Sequence, residues 1–487
     1  MWVMGFKPSE NLNEEQIKSG LRLVIADGLA AESMVALTGG TFLVAMALHM
    51  GASNFQLGLL AALPTFSSIF QLVAIWLVQR YNNRKAITTI FNFLARFPLF
   101  IIGALPLLFT GGSSVYALLF FLFFHYYFGA VAGASWNSWM RDLVPVEQLG
   151  SYFSHRGRLT QILNVIFSLA IACVLDYVKA HYPQYELAAY SWMFIAGGAF
   201  GMLGIFMLGR TPEPRSSMTD ANFFQLLQKP LKDSNFRKLL SFNSFWAFAL
   251  NLATPFFSVY MMKTLNIPLS WIIALGIINQ LSGIFSIKAW GKYSDKYSNK
   301  TIIRICAPVY IGSLFAWAFT GMPSQTYSII GFLMLINVLS GISIAGINLA
   351  ITNVGMKLAP KEAAIVYLSV KNMIVAFFSA IAPLIGGLMA DFFASHELVW
   401  NFEWHSSNGV SLLPIVDIKG WCFFFVLGGI LATYSLKLLT PVQEQGEVEK
   451  DKVVTILRTK FRHSVMRGNR QLSNKHAEAM ITETAEN

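Results

Sequence analysis

Charge is scarce in this chain. Only 13% of its 487 residues are Asp, Glu, Lys or Arg, against about 25% in soluble domains, and the mean hydropathy is +0.53. The deficit runs along nearly the whole length, which excludes water as the solvent for most of the protein. Cysteine is nearly absent. Cys173, Cys306 and Cys422 lie inside apolar runs with no ligand spacing, so neither a disulfide framework nor a zinc site is expected. No Gly-x-x-x-x-Gly-Lys-Ser/Thr loop occurs, which excludes direct use of ATP. No nucleophile–base or metal-ligand spacing occurs either, so no enzymatic activity and no cofactor are expected. A cleavable signal pattern is missing from residues 1–20. The net charge of +11 does not indicate nucleic acid as a partner, because the basic residues gather in alternate loops.

What the chain has is apolar runs, each near the ~20 residues a bilayer requires. Aromatics make up 14%, including 41 Phe, as suits lipid-facing helices. The runs predict spans near 24–48, 56–79, 87–109, 115–139, 158–178 and 188–209, then 239–262, 269–290, 302–321, 327–352, 368–390 and 420–439. The second set repeats the first at one offset, 360 minus 145 or 215 positions. Leu143, Pro145, Glu147, Tyr152 and Ser154 return as Leu358, Pro360, Glu362, Tyr367 and Ser369. Lys85, Arg156 and Asp176 return as Lys300, Lys371 and Asp391. The expected fold is an all-α membrane protein of twelve transmembrane helices in two pseudo-symmetric six-helix bundles. Duplicated six-span units are the mark of transporters that rock two halves about a central site.

Orientation follows from loop charge. Arg80, Arg84, Lys85, Arg141, Arg156, Arg158 and the basic residues of the middle loop share the N-terminal side with Lys292, Lys296, Lys300, Lys357 and Lys361. The opposite loops hold Lys179, Lys263 and Lys419. Both termini are therefore expected in the cytoplasm, with the protein in the plasma or inner membrane. The organisation reads as an N-terminal segment 1–20, bundles 21–209 and 237–440, a linker 210–236 with a short surface helix at 221–229, and a basic tail 441–487. In that tail Val453, Leu457, Phe461 and Val465 recur every four residues among arginines and lysines. This pattern fits a helix lying on an anionic leaflet, and equally a solvated segment.

Two loop motifs sharpen the reading. Between the second and third spans of the second half stand Gly291, Asp295, Lys296, Ser298 and Lys300. The aligned first-half positions are Trp76, Arg80, Tyr81, Asn83 and Lys85, so only the basic end, Arg84 and Lys85, survives there. On the Gly-x-x-x-Asp-[Arg/Lys]-x-Gly-x-[Arg/Lys] pattern, the chain resembles the major facilitator superfamily of secondary transporters over about residues 20–440. The resemblance implies that this loop locks the cytoplasmic side in the outward-facing state, with Asp295 carrying the role the first half has lost. Gly291 is expected to let helices approach, and Asp295 to accept from helix-start amides or an arginine. Asp142, Glu147 and Glu362 are expected partners of Arg156 and Lys371 in a cytoplasmic gate; snorkelling to headgroups is the competing account. Pro383-Leu384-Ile385-Gly386-Gly387 reads as a hinge in span eleven.

Ionisable residues at membrane depth are costly and normally face a cavity. Asp27 reads as a helix cap or a coupling carboxylate, and the deeper Glu32 as a coupling or substrate carboxylate. His125, Trp136 and Asn137 on span four suggest an aromatic cavity wall, against a plain packing role for the histidine. Arg158, Gln161 and Asn164 form a polar stripe on span five. Asn243, Trp246 and Asn251 on span seven, Gln280 on span eight, Asn337 and Asn348 on span ten, and Lys371 and Asn372 on span eleven complete the expected cavity. Arg96 stands apart on span three, with a carboxylate partner, snorkelling and an unusual cavity all open. The expected activity is alternating-access transport of a small polar solute, with proton-coupled uptake first, drug or metabolite efflux as the alternative and a transport-inactive receptor or scaffold third. The expected partners are that solute, protons or another coupling ion, and the lipid bilayer, with the protein a monomer.

Overall fold

The computed structural model describes residues 8–9, 12–108, 113–145, 148–215, 228–321, 325–360, 364–393, 396–406 and 409–444. The expected surface helix at 221–229 falls mostly outside them, as do Glu147, Glu362 and the tail residues Val453 to Val465. Among the described residues twelve long helices form. The first half has α1 (Glu14–His49), α2 (Asn54–Tyr81), α3 (Arg84–Leu107), α4 (Ser114–Leu143), α5 (Leu149–His181) and α6 (Pro183–Arg210). The second has α7 (Ser234–Lys263), α8 (Leu269–Tyr297), α9 (Asn299–Trp317), α10 (Thr326–Leu358), α11 (Ala364–Phe393) and α12 (Cys422–Leu439). Eleven are long and apolar enough to cross a membrane. The other, α9, carries Lys300 and Arg304 in its first two turns. An antiparallel hairpin, β1 (Glu397–Ser406) and β2 (Gly409–Lys419), joins α11 to α12. It is the one departure from the expected all-α architecture, and it lies between spans rather than within one.

Helix ends follow local chemistry. Asn13 and Gln16 form a capping box on α1, and Ser53 and Gln56 form another on α2, each satisfying orphan amides. Asn83 caps α3 through the Ala86 amide, and Ser298, 215 positions on, caps α9 through the Thr301 amide. Ser298 sits at φ +139°, in the region that favours glycine, which explains the glycine of the usual motif. Two helices break at matching positions. α1 breaks at Gly39–Gly40, and α7 breaks at the 3₁₀ turn Thr254–Phe256 around Pro255. Gly40 and Pro255 are 215 positions apart.

The bundles meet mainly at the face opposite the basic loops, where α2 packs on α11, α5 on α8, and the end of α1 on the end of α7. A Cβ on Gly58 would collide with the Pro383 carbonyl, and one on Gly387 would fall 2.7 Å from the Asn54 carbonyl. Toward the basic face the halves diverge. A Cβ at Gly129, Gly133, Gly150, Gly157 or Gly291 would meet nothing within 4 Å. Gly291 therefore does not support the close helix approach expected of it, because no side chain or backbone stands within reach of its Cα face.

Candidate functional site

Each half carries a carboxylate staple at the basic face. In the first half Glu213, just past α6, accepts the backbone N–H groups of Arg84 and Lys85 at 2.8 and 3.1 Å. It also pairs with the Arg84 guanidinium at 3.2 Å. That guanidinium reaches Asp142 and the carbonyls of Ser138 and Pro214 as well. Arg84 is fully buried and Glu213 nearly so. In the second half Glu444, just past α12, accepts the N–H groups of Asn299 and Lys300 at 3.2 and 2.8 Å and pairs with Lys357 at 3.0 Å. Arg84 and Lys85 return as Asn299 and Lys300, and Asp142 returns as Lys357. A similar staple is therefore built with the Arg84 charge lost and the Asp142 charge reversed. Carboxylates at helix starts are favoured by the exposed amides and the helix dipole. Burial alone would raise the Glu444 carboxyl, but the Lys300 amide, the Asn299 side chain and the Lys357 ammonium outweigh it and hold it below the usual range.

These staples correct the expected gate. Glu213 and Glu444, not Asp295, accept the helix-start amides. Asp295 and Lys296 are exposed, Asp295 has no ion-pair partner among the described residues, and Lys296 lies over the Tyr297 ring at 5.3 Å. The degenerate first-half loop is nonetheless tied down, through Arg84. Lys85 and Lys300 are buried, and the Lys300 ammonium is held by the Thr440 and Val442 carbonyls. Arg156 does not pair with Asp142. It lies against Gly28, over Trp136 at 5.0 Å, with its Nε toward the Val24 carbonyl at 3.4 Å.

A buried charge cluster occupies the interior of the first bundle. Asp27 is an internal residue of α1, not its cap, and pairs with Arg96 of α3 at 3.6 Å. Arg96 also donates to the Gly201 carbonyl of α6, which settles its place. Oδ1 of Asp27 has no hydrogen-bond donor among the described residues. A Cβ on Gly204 would fall 2.7 Å from both that oxygen and the Arg96 guanidinium, so α6 makes room for the pair with glycine. Beside it lies a cavity of about 260 Å³ lined by Arg96, His125, Gln71, Asn92 and Tyr126. There His125 Nδ1 sits 2.7 Å from the Ala95 carbonyl.

The larger cavity, about 400 Å³, lies between the bundles at the helix breaks. Gly40 and Pro255, Leu43 and Ser258, Leu60 and Leu275, and Ala61 and Gly276 all line it. Each of these pairs is 215 positions apart, so the cavity straddles the axis relating the halves. Its polar groups are Thr41, Tyr126, Thr254, Ser258 and Asn337, of which only Asn337 was expected from sequence. Trp317, in its wall, stacks on Phe257 at 4.2 Å.

The remaining expected residues scatter. Asn164 donates to Glu32 at 2.7 Å, and Gln161 donates to Gln280 at 2.9 Å across the bundles. Arg158, Asn137 and Asn348 are exposed. Asn372 shares a smaller cavity on the α2–α11 seam with Ser68 and Gln71. Asn251 bonds its own helix at the Ala247 carbonyl. Trp246 and Asn243 are buried in the second bundle, Trp246 among Phe242 and Tyr310, so neither lines the cavity. Lys371 is also buried, with Nζ 3.2 Å from where a Cβ on Gly355 would stand. At the seam opposite the basic face Asp176 of α5 accepts the N–H groups of Leu269 and Ser270 at 2.9 and 2.8 Å, capping α8 from the other bundle.

The sequence profile of the Major Facilitator Superfamily matches residues 29–383. No curated protein matches the chain. Among solved structures, a mutant form of the nucleoside transporter NupG superposes with a TM-score of 0.61 at 11% identity, covering 88% of this chain and 100% of its own. The inward-open xylose transporter XylE from E. coli gives 0.60 at 14% identity, with 90% and 99% covered. A D-xylose-proton symporter gives 0.61 at 15% identity, with 89% and 100% covered. At such identities the likeness is one of fold. With the duplicated bundles, the cavity on their axis and the profile match over most of its length, the chain belongs to the major facilitator superfamily of membrane transporters.

Proposed function

We propose that this protein is a proton-coupled secondary transporter that takes up a small polar solute by alternating access. The observation that carries the reading is the pairing of an interbundle cavity on the pseudo-symmetry axis with a separate buried carboxylate, Asp27, facing Arg96. A coupling site must exist in two protonation states without collapsing the helix around it. Here Arg96 is anchored on the Gly201 carbonyl and Arg156 points at the Val24 carbonyl. Asp27 can therefore take up a proton while both guanidinium groups keep an acceptor. Glu32, held by Asn164, is the second candidate for the same role. With the basic face cytoplasmic, as loop charge indicates, this conformation is inward-facing: sealed at the outer seam and open below. The receptor reading rested on the degenerate first-half loop, and the Arg84 staple removes that support.

The test is proton movement in proteoliposomes carrying a pH dye, with a solute found by thermal-shift screening. Solute addition should acidify the lumen in the wild type, and Asp27→Asn should abolish the signal while leaving solute counterflow intact. If Asp27→Asn and Glu32→Gln both remain fully proton-coupled, the coupling assignment is wrong.

A further inference from the structure

We infer that the transported solute is uncharged, and that it is recognised by hydroxyl and amide hydrogen bonds against an aromatic wall. The inference rests on the transporter reading above and concerns the cavity between the bundles. No Asp, Glu, Lys, Arg or His lines that cavity. Three charged residues of the membrane interior have partners outside it. Asp27 and Arg96 hold each other inside the first bundle, and Glu32 is held by Asn164. Glu32 lies eight residues from Gly40 along α1, about 12 Å at 1.5 Å per residue. An ion entering the cavity would shed its water with no counter-charge to replace it.

The cavity is nonetheless polar. The hydroxyls of Thr41, Tyr126, Thr254 and Ser258 have no hydrogen-bond partner among the described residues. Asn337 donates its amide N–H to Leu333, and its Oδ1 has no partner among the described residues. The two prolines in the wall, Pro64 and Pro255, each lack the N–H that would bond the carbonyl four residues earlier, so Leu60 and Asn251 carry further acceptors. Hydroxyls can donate or accept as required, and unpartnered neutral groups around an apolar face discriminate strongly for a solute that pairs with them. Tyr126 and Pro64 line both this cavity and the smaller one holding Arg96 and His125. The buried charge thus lies next to the solute cavity, across Tyr126 and Pro64, and outside its lining.

The experiment is a matched panel on the purified full-length protein, with thermal shift and calorimetry for binding and counterflow in proteoliposomes for transport. Uncharged polyols, pentoses, hexoses and nucleosides are set against their carboxylated or phosphorylated counterparts and against zwitterionic amino acids. At least one uncharged member should bind, with its charged counterpart tenfold weaker or worse. Ser258→Asp should abolish that binding, and Tyr126→Phe should weaken it several-fold without changing the melting temperature of the empty protein. A charged member binding as tightly as its uncharged counterpart overturns the inference, as does the failure of every uncharged member to bind. An uncharged solute that binds but does not exchange upholds the class and counts against the transporter reading instead.

Discussion

At the outer seam one carboxylate caps a helix of the opposite bundle. α8 begins at Leu269 after Pro268, which offers no side-chain cap, so its first amides need an acceptor from elsewhere. Asp176 supplies both oxygens across the bundle boundary at 2.9 and 2.8 Å. These bonds exist only while the seam is shut, because α5 and α8 belong to different halves. Replacing a capping side chain with alanine costs about 0.5–2 kcal/mol. Asp176→Ala should remove that amount from the present conformation and little from the opposite one. A loss of one or two kcal/mol changes a population ratio by a factor of about 5–30. The assay is alkylation of a single cysteine at position 258, in a background without Cys173, Cys306 and Cys422, by a membrane-impermeant maleimide added at the outer face. The initial rate should rise several-fold, with Asp176→Asn intermediate because it keeps one acceptor oxygen. An unchanged rate in a well-folded Asp176→Ala protein would refute the reasoning.

Three further outcomes follow from the geometry. Glu213→Ala strands one face of the buried Arg84 guanidinium, and breaking a buried pair from one side costs about 3–5 kcal/mol. Its melting temperature should fall further than that of Asp142→Ala, whose carboxylate is partly exposed; the reverse order would contradict the staple. Glu444, held below the usual carboxylate range, contributes stability that is fully present above the ordinary glutamate value of about 4.3. That contribution is lost as pH falls through the lower folded-state value, so Glu444→Gln should flatten the acid limb of a melting-temperature profile, and an unchanged limb would deny the linkage. Gly58→Val puts a side chain against the Pro383 carbonyl and should wedge the outer seam, raising outer-face alkylation at position 258 as Asp176→Ala does; a lower rate would mean the seam is not packed on glycine.

The duplication was legible in sequence because it runs without a gap between Lys85 and Asp176, and the twelve-helix architecture followed from it. The staples were not legible, because the repeat breaks just where they form. Glu213 and Glu444 lie 231 positions apart rather than 215, with the β1–β2 hairpin inserted before α12. The reading therefore assigned the helix-start amides to Asp295, the acid nearest in sequence. Asp27 and Arg96 were each noticed, but nothing local pairs residues on two helices that meet only through the packing of α1, α3 and α6. Trp246 and Asn243 were misplaced because a polar stripe on a helix does not reveal which neighbour it faces. The cavity's hydroxyls are neutral and can bond their own helix, so none of them is marked in the sequence as an ionisable residue at depth is marked. A signal for them existed in the pair Gly40 and Pro255, since helix interruptions at matching positions of two repeats mark the binding region of such transporters.

The most direct test of the account is whether the two ends of the molecule move in opposite senses. Spin-label pairs at Lys179 with Asn266, and at Arg158 with Lys288, would report the outer and inner ends of the α5–α8 seam by pulsed electron resonance in nanodiscs. The account predicts that bound solute at low pH lengthens the outer distance and shortens the inner one together, and that Asp176→Ala does so without solute. Distances that stay fixed, or that lengthen or shorten together at both ends, would contradict alternating access about the cavity.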